Sequence, residues 1–346
     1  MNIYDVSKRA GVSIATVSRV LNNSLHVSEK TRQHVLRVIQ EAGYVPNAFA
    51  RGLGLNSMKT IGLLCPDASD VYLAHALALL EHAFRLHQYD CLLICTGRER
   101  GDLDAGITSL VSRHVDGMVL MGSTFVGKNS DENRMILETS REIPTAILNG
   151  SLSGENIYAV MCNDAQAQEM AADHLCAEGR TTPLYLYHSL NESGQKKLSG
   201  YRNSVAKHGL HVGQEHELFV GAANKNVLSV AQIIRDCWQN GLRFDCVMTS
   251  EDILAVGALK GLHAMGIRIP EDVSIIGYNN SDLCLCTDPE LSSIDNRLQA
   301  ICEHIVETMV NVLEGTAMPH QTVFNAQLIE RESTNHHPKI QKGKET

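Results

Sequence analysis

Gly11–Asn23 reads GVSIATVSRVLNN, a short stretch that opens with a glycine and carries Thr16 and Arg19 on its polar side. It lies near the start of a chain of 346 residues whose formal charge is −9. Residues 1–60 hold eight lysines and arginines against Asp5, Glu29 and Glu41, a net of +5, so the remainder carries −14. A basic head on an acidic body points to a polyanion as partner of the head, with the body held off by repulsion.

Working outward from that stretch, Ile3, Val6, Ala10 and Val12 supply the apolar side of a first helix. Gly11 ends it in the left-handed conformation that glycine adopts without strain. Ser13 caps a second helix over Ile14–Leu21, with Val17, Val20 and Leu21 inward and Ile14, Ala15, Ser18, Arg19 and Asn22 outside. Ser28 caps a third, in which Val35, Leu36, Val38 and Ile39 pack beneath, and Gly43 closes it. Three short helices joined through a glycine turn describe a helix-turn-helix unit, whose second helix enters the DNA major groove.

The run from Ile3 to Leu53, IYDVSKRAGVSIATVSRVLNNSLHVSEKTRQHVLRVIQEAGYVPNAFARGL, resembles without a gap the DNA-binding head of the lactose-repressor (LacI/GalR) family of bacterial transcription regulators. The family's length and order of elements continue to RESTN at 331–335. The resemblance implies that Ile14–Leu21 is the recognition helix. Ile14 and Ala15 would meet thymine methyls, Arg19 would pair with guanine O6 and N7, and Thr16 and Asn22 would touch phosphate or base edges. Tyr4, Ser13 and Ser18 join this DNA-binding set, and His26, Ser28, Thr31 and Tyr44 match positions that hold the DNA backbone.

Asn47–Ser57, NAFARGLGLNS, matches the family's hinge helix, which forms on operator DNA and drives a leucine into the minor groove. Leu53 is that residue here, with Ala50 and Arg51 beside it and Asn47 at its start. Gly52 and Gly54 flank Leu53, and each costs roughly 1 kcal/mol of helix relative to alanine. The expectation is a hinge disordered off DNA and more weakly ordered on it than in relatives without those glycines.

From Thr60 onward TIGLLCPD, YDCLLICTG, VDGMVLMGS, PTAILNG, YAVMCND, PLYLYHS, HELFVG, DCVMTSE and VSIIGYNN read as buried parallel strands, separated by amphipathic helices. This is α/β patterning with helices on both sheet faces, in two halves that follow one another in sequence. The fold class expected is an N-terminal helix-turn-helix three-helix head, a hinge helix, and a two-lobed periplasmic-binding-protein-like (type I) core with parallel sheets. The domains run 1–46 for the head, 47–59 for hinge and linker, 60–335 for the effector-binding and dimerisation core, and 336–346 for a polar tail.

Ligands of open parallel sheets bind beyond the strands' carboxyl ends. There the candidates are Ser69, Tyr72 and Leu73, then Ser123, Asn149, Ser193 with Gln195 and Lys197, Glu251 with Asp252, and Asn279. The resemblance implies a small-molecule effector, usually a sugar or nucleobase, between the lobes. It also exposes departures. Asn279 stands where relatives mostly carry aspartate, Glu251 where asparagine is usual, Lys197 where arginine is frequent, and Ala223 where some relatives present a stacking aromatic. Lys197 and Glu251 either bind a charged effector or pair with each other.

Ten cysteines are scattered, several of them inside apolar runs such as DCLLIC and IGLLC, with no CxxC spacing, which suits buried free thiols in a reducing compartment and no metal site. The chain has no run of about 20 apolar residues and no signal peptide, so a cytoplasmic protein without a membrane partner is expected. The G-x-G at Gly52–Gly54 precedes the first strand and lacks its third glycine, and no P-loop, G-x-S-x-G or HExxH is present. Neither an enzyme nor a cofactor is therefore expected. A transporter's solute-binding protein shares the two-lobed body but would need a signal peptide and no head; a regulator controlled by a protein partner is the other alternative. The reading favoured is a repressor that binds a palindromic double-stranded DNA operator as a homodimer under control of a small effector. The tail HHPKIQKGKET has no apolar heptad, so no tetramer is expected.

Overall fold

The structure is a computed structural model that describes residues 2–21, 24, 26–44, 57–97, 99–210 and 212–334. Helices α1 (Ile3–Ala10), α2 (Ile14–Leu21) and α3 (Glu29–Glu41) form the head. Asn2 and Asp5 cap α1 reciprocally, each side chain accepting the other's backbone N–H, and Gly11 ends it at φ 62°. Ser13 accepts the Thr16 N–H at 3.1 Å, so it caps α2 as the spacing requires. Ser28 does the same for Thr31 at the start of α3. Val6, Ala10, Val17, Val20, Val35 and Val38 make the small core. Leu36, expected in that core, is 43% exposed. Positions 35, 38 and 39 already share the inner face of α3, and the next residue after 35 turns a further 100° away.

The body holds two six-stranded sheets. The first orders its strands β2–β1–β3–β4–β5–β11, where β1 is Thr60–Cys65, β2 Asp90–Cys95, β3 Gly117–Met121, β4 Thr145–Leu148, β5 Ile157–Cys162 and β11 Gln321–Phe324. The second runs β7–β6–β8–β9–β10–β12, with β6 Pro183–Tyr187, β7 Glu217–Phe219, β8 Cys246–Thr249, β9 Ser274–Tyr278, β10 Ser292–Asp295 and β12 Gln327–Ile329. All pairings are parallel except β10 with β12. Along β1, Ile61, Leu63 and Cys65 face one core with α4 (Val71–Leu86) and α11 (Leu298–Leu313), while Leu64 faces the other with α5 (Arg100–Ser112). The second sheet is likewise covered on both faces, by α7 (Asp164–Ala177) and α8 (Glu192–Lys207) on one side and α9 (Val227–Gln239) and α10 (Asp252–His263) on the other. The short α6 (Arg134–Thr139) completes the first lobe.

Three expectations need correction. The two halves do not simply follow one another: α11 and β11 return to the first lobe after the second is nearly built, so the chain crosses between lobes near residues 163, 296 and 325. β2 and β7 are not buried strands; each is a sheet edge and shows a mixed exposed pattern, because an edge strand has a neighbour on one side only. Of the ten free cysteines, Cys65, Cys162, Cys246, Cys284 and Cys302 are buried, whereas Cys95 and Cys286 are exposed. Burial pushes the Cys65 thiol up to about 11 and Cys302 to about 12, which keeps both protonated and unreactive.

Helices α7 and α8 pack backbone to backbone at Gly200, where a Cβ would stand 2.3 Å from the Ala165 carbonyl oxygen. That oxygen belongs to backbone and cannot swing aside. Gly200→Ala is therefore expected to destabilise the chain by about 1–3 kcal/mol, the overpacking cost exceeding the roughly 1 kcal/mol that alanine gains in a helix. A lower urea midpoint at unchanged slope checks this; an unchanged or higher midpoint contradicts it.

Candidate functional site: an exposed head helix and an interlobe cleft

On α2 the buried Val17 and Val20 fix which face looks out. Ile14, at 39% exposure, Ala15 and Arg19 lie on the open face, with Thr16 and Ser18 half-buried at its edge. Arg19 makes no ion pair among the described residues, so its guanidinium is available. Thr16 is already engaged, its hydroxyl 2.9 Å from that of Ser13. Tyr4, His26 and Ser28 are exposed, and Thr31 and Tyr44 half-buried. Asn22, Asn47, Ala50, Arg51 and Leu53, with the rest of the hinge up to residue 56, lie outside the described residues.

The second candidate site lies where the carboxyl ends of both sheets face each other. Loops after β1, β3 and β4 meet loops after β6, β8 and β9 around two adjoining cavities of about 690 and about 870 Å³ with their open mouths included. Tyr72, Leu73, Ser123, Asn149, Ser193, Lys197, Glu251 and Asn279 all line this cleft, and Ser69 stands at its outer mouth. Asn149 donates to the Tyr72 hydroxyl at 2.6 Å, which sets the ring against the first lobe. Asn279 holds a left-handed backbone at φ 103° and accepts from Asn296 at 3.1 Å, leaving its amide N–H groups as donors.

Gln195 and Ala223 are not brought into the cleft. Ser193 and Lys197 are four residues apart on α8 and share the inner face, whereas Gln195 falls on the opposite side, is exposed, and donates to the Leu190 carbonyl. In the tight turn at 222–224, Ala222 and the following Lys225 face the cleft and Ala223 faces solvent. Asp252 lines the outer cavity, but its oxygens accept from the Ser281 N–H and hydroxyl and the Ser293 hydroxyl at 2.6–2.8 Å. It is a structural carboxylate that ties α10 to the loop after β9.

The residues that sequence reasoning missed carry the electrostatics. Lys225, from the second lobe, reaches Asp70 of the first at 2.7 Å and Glu251 of its own lobe at 2.5 Å. Glu251 in turn lies 3.1 Å from His188 Nε2. Asp70 also accepts the Tyr72 and Leu73 N–H groups as the cap of α4. Lys197 and Glu251 do not pair with each other: Lys197 Nζ donates to the Ser250 carbonyl at 3.1 Å and sits 3.8 Å from the Tyr278 ring centre. Burial opposes ionisation of Asp70, but the Lys225 ammonium outweighs it and holds the carboxyl below its ordinary value. For Glu251 burial wins and its pKa rises, the attraction of Lys225 offsetting only part. Lys225 is raised, because the pull of Glu251 and Asp70 exceeds the burial penalty.

Further bonds close the opposite rim. Asn191 donates to Thr124 at 3.2 Å, the Ser193 N–H to Ser123 at 3.3 Å, and the Ser151 N–H to Glu192 at 2.7 Å. Each joins one lobe to the other, so a molecule held in the cleft is in contact with the elements that set the angle between lobes.

Comparison with known proteins settles what such an arrangement belongs to. Residues 2–47 match the profile of "Bacterial regulatory proteins, lacI family", and residues 172–334 that of "Periplasmic binding protein-like domain". Over 335 residues the chain is 46% identical to an HTH-type transcriptional regulator of Lachnoclostridium phytofermentans, covering 97% of this chain and 100% of that one. The chain belongs to the lacI family. Like its lacI-family relatives it is a helix-turn-helix transcriptional regulator and not an enzyme. In architecture this lacI-family protein matches the lac repressor dimer bound to operator, with TM-score 0.86 at 20% identity over 96% of this chain and 99% of that one. It also matches a transcriptional regulator CelR–cellobiose complex, with TM-score 0.69 at 24% identity over 96% and 99%. Among the described residues no helix is long and apolar enough to cross a membrane.

Proposed function

We propose that the protein is a cytoplasmic repressor that binds a palindromic operator as a homodimer and is controlled by a small hydroxylated effector, a sugar or sugar derivative, in the interlobe cleft. The observation that carries this reading is the combination of an outward-facing Arg19, without an ion pair among the described residues, on a capped helix with a polar cleft whose walls are hydrogen-bonded from lobe to lobe. Residues 1–46 are the reading head, 47–59 the hinge and linker, 60–335 the core that binds effector and partner subunit, and 336–346 the tail. The operator-bound form of the lac repressor supports a dimeric DNA-bound state, and the cellobiose complex of CelR supports a sugar in the cleft.

Two heads on one two-fold axis require two half-sites about one helical turn apart, hence a palindrome. An effector shifts DNA affinity only by its different affinity for the two lobe arrangements. Displacing the Lys225–Asp70 contact, or strengthening the Asn191–Thr124 side, is how this cleft distinguishes them.

Selection from a randomised duplex library with the full chain tests the reading. The expected result is an enriched palindrome, bound with an affinity that falls steeply between 50 and 200 mM salt, by roughly 10³-fold or more for six or so phosphate contacts. Failure to enrich any sequence, with and without added cell metabolites, overturns it.

A further inference from the structure

Within the cleft every carboxylate already has its partner. Asp70 meets Lys225 and two backbone N–H groups, and Glu251 meets Lys225 and His188. Asp164, buried beneath, accepts from the hydroxyls of Ser193 and Tyr278, and Glu192 at the rim pairs with Lys196. The exception is of opposite sign. Lys197 lines the cavity, is only 9% exposed, and forms no ion pair among the described residues. Its ammonium has three N–H groups; one goes to the Ser250 carbonyl, and the face of Tyr278 supplies partial negative charge. Neither is a full counter-charge, and Glu251, which already shares Lys225 with Asp70, attracts Lys197 only from beyond ion-pair distance. A buried ammonium with no carboxylate in contact is costly unless something else brings one. Beside it Asn279 offers amide donors, and among the residues that line the cavity Tyr72 supplies an aromatic side chain whose hydroxyl is already bonded to Asn149.

Resting on the reading that the cleft is the effector site, we propose that the effector is an anion: a hydroxylated small molecule whose carboxylate or phosphate pairs with Lys197. A neutral sugar supplies hydroxyls to Asn279 but leaves the ammonium without a counter-charge in contact. A sugar acid or sugar phosphate supplies both.

The test uses the full chain and matched sets of ligands: glucose with glucuronate, gluconate and glucose 6-phosphate, and galactose with galacturonate and galactose 6-phosphate. Thermal unfolding and release of the selected operator are read for each. The expected result is that an acidic member raises the unfolding midpoint by several degrees near 100-fold excess over Kd and its neutral counterpart does not. The carboxylate and phosphate arms say which anion the site takes. Lys197→Met weakens that response at least tenfold, and Lys197→Arg, which keeps the charge, retains it. Ligand-free Lys197→Met unfolds at or above the wild-type midpoint, since it loses a buried charge that has no ion pair; a clear fall, with Lys197→Arg unaffected, shows the charge to be satisfied within the fold and overturns the proposal. Equal binding of a neutral sugar to wild type and Lys197→Met overturns it too, as does a panel in which no acid responds. Loss of a neutral sugar's response in Asn279→Ala then leaves the cleft reading standing, whereas ligand responses untouched by both variants remove that reading as well.

Discussion

Replacing Lys225 with methionine is expected to lower the stability of the chain by about 3–5 kcal/mol at pH 7, the cost of stranding two buried carboxylates that share its one ammonium. The lysine side chain is 13% exposed, and Asp70 and Glu251 are 12% and 17% exposed, so water offers little compensation. Methionine keeps most of the volume, which confines the change to charge. The deficit should shrink as pH falls from 7 toward 5, because Glu251, whose pKa burial already raises, can then take up a proton and shed its unpaired charge. Urea unfolding at the two pH values checks both statements. A loss below about 1 kcal/mol, or one that does not change with pH, would sink the view that Lys225 balances this site.

The same groups give the wild-type pH profile, with the sign set by each shift. Asp70 is held below its ordinary 3.8, so its contribution is complete above that value and fades as pH falls through the lower folded one. Lys225 is held above 10.5, so its contribution is complete below that and fades as pH rises through the higher folded one. Glu251 acts in the opposite sense to Asp70, costing stability as pH rises above its ordinary 4.5. The Asp70–Lys225 contribution is thus constant from about pH 5 to pH 10.

Arg19→Ala is expected to weaken binding to the selected operator by about 1–3 kcal/mol for each half-site, so a dimer loses roughly 2–6 kcal/mol in all. Fluorescence anisotropy at fixed salt measures it. If Arg19 reads a guanine, preference at one base pair of each half-site relaxes while the dependence on salt barely changes. If it holds phosphate instead, all sequences weaken alike and the salt slope drops by about 1 per contact. An Arg19→Ala protein with unaltered affinity and preference would remove Arg19 from the set of DNA contacts.

Much of this molecule was legible along the chain because the deciding interactions are local. Gly11, Ser13, Ser28 and the valine spacing dictate the head's three helices through caps and periodicity that operate within a few residues. Near-continuous apolar runs between amphipathic helices likewise dictate two covered parallel sheets, and strand ends bring Tyr72, Asn149, Lys197, Glu251 and Asn279 to one cleft. What sequence alone left open depends on contacts between residues far apart. Lys225 and Asp70 are separated by 155 residues, and no periodicity relates a loop after an edge strand to a helix cap in the other lobe. The return of α11 and β11 to the first sheet is equally non-local. Gln195 and Ala223 failed because a position in sequence names an element, whereas the rotation of that element against its neighbours decides which side chain faces the cavity. Sequence by itself determined which elements form and what kind of protein they build. Tertiary structure alone decided which charges meet, because an ion pair depends on distance through space, and only the packed lobes set that distance.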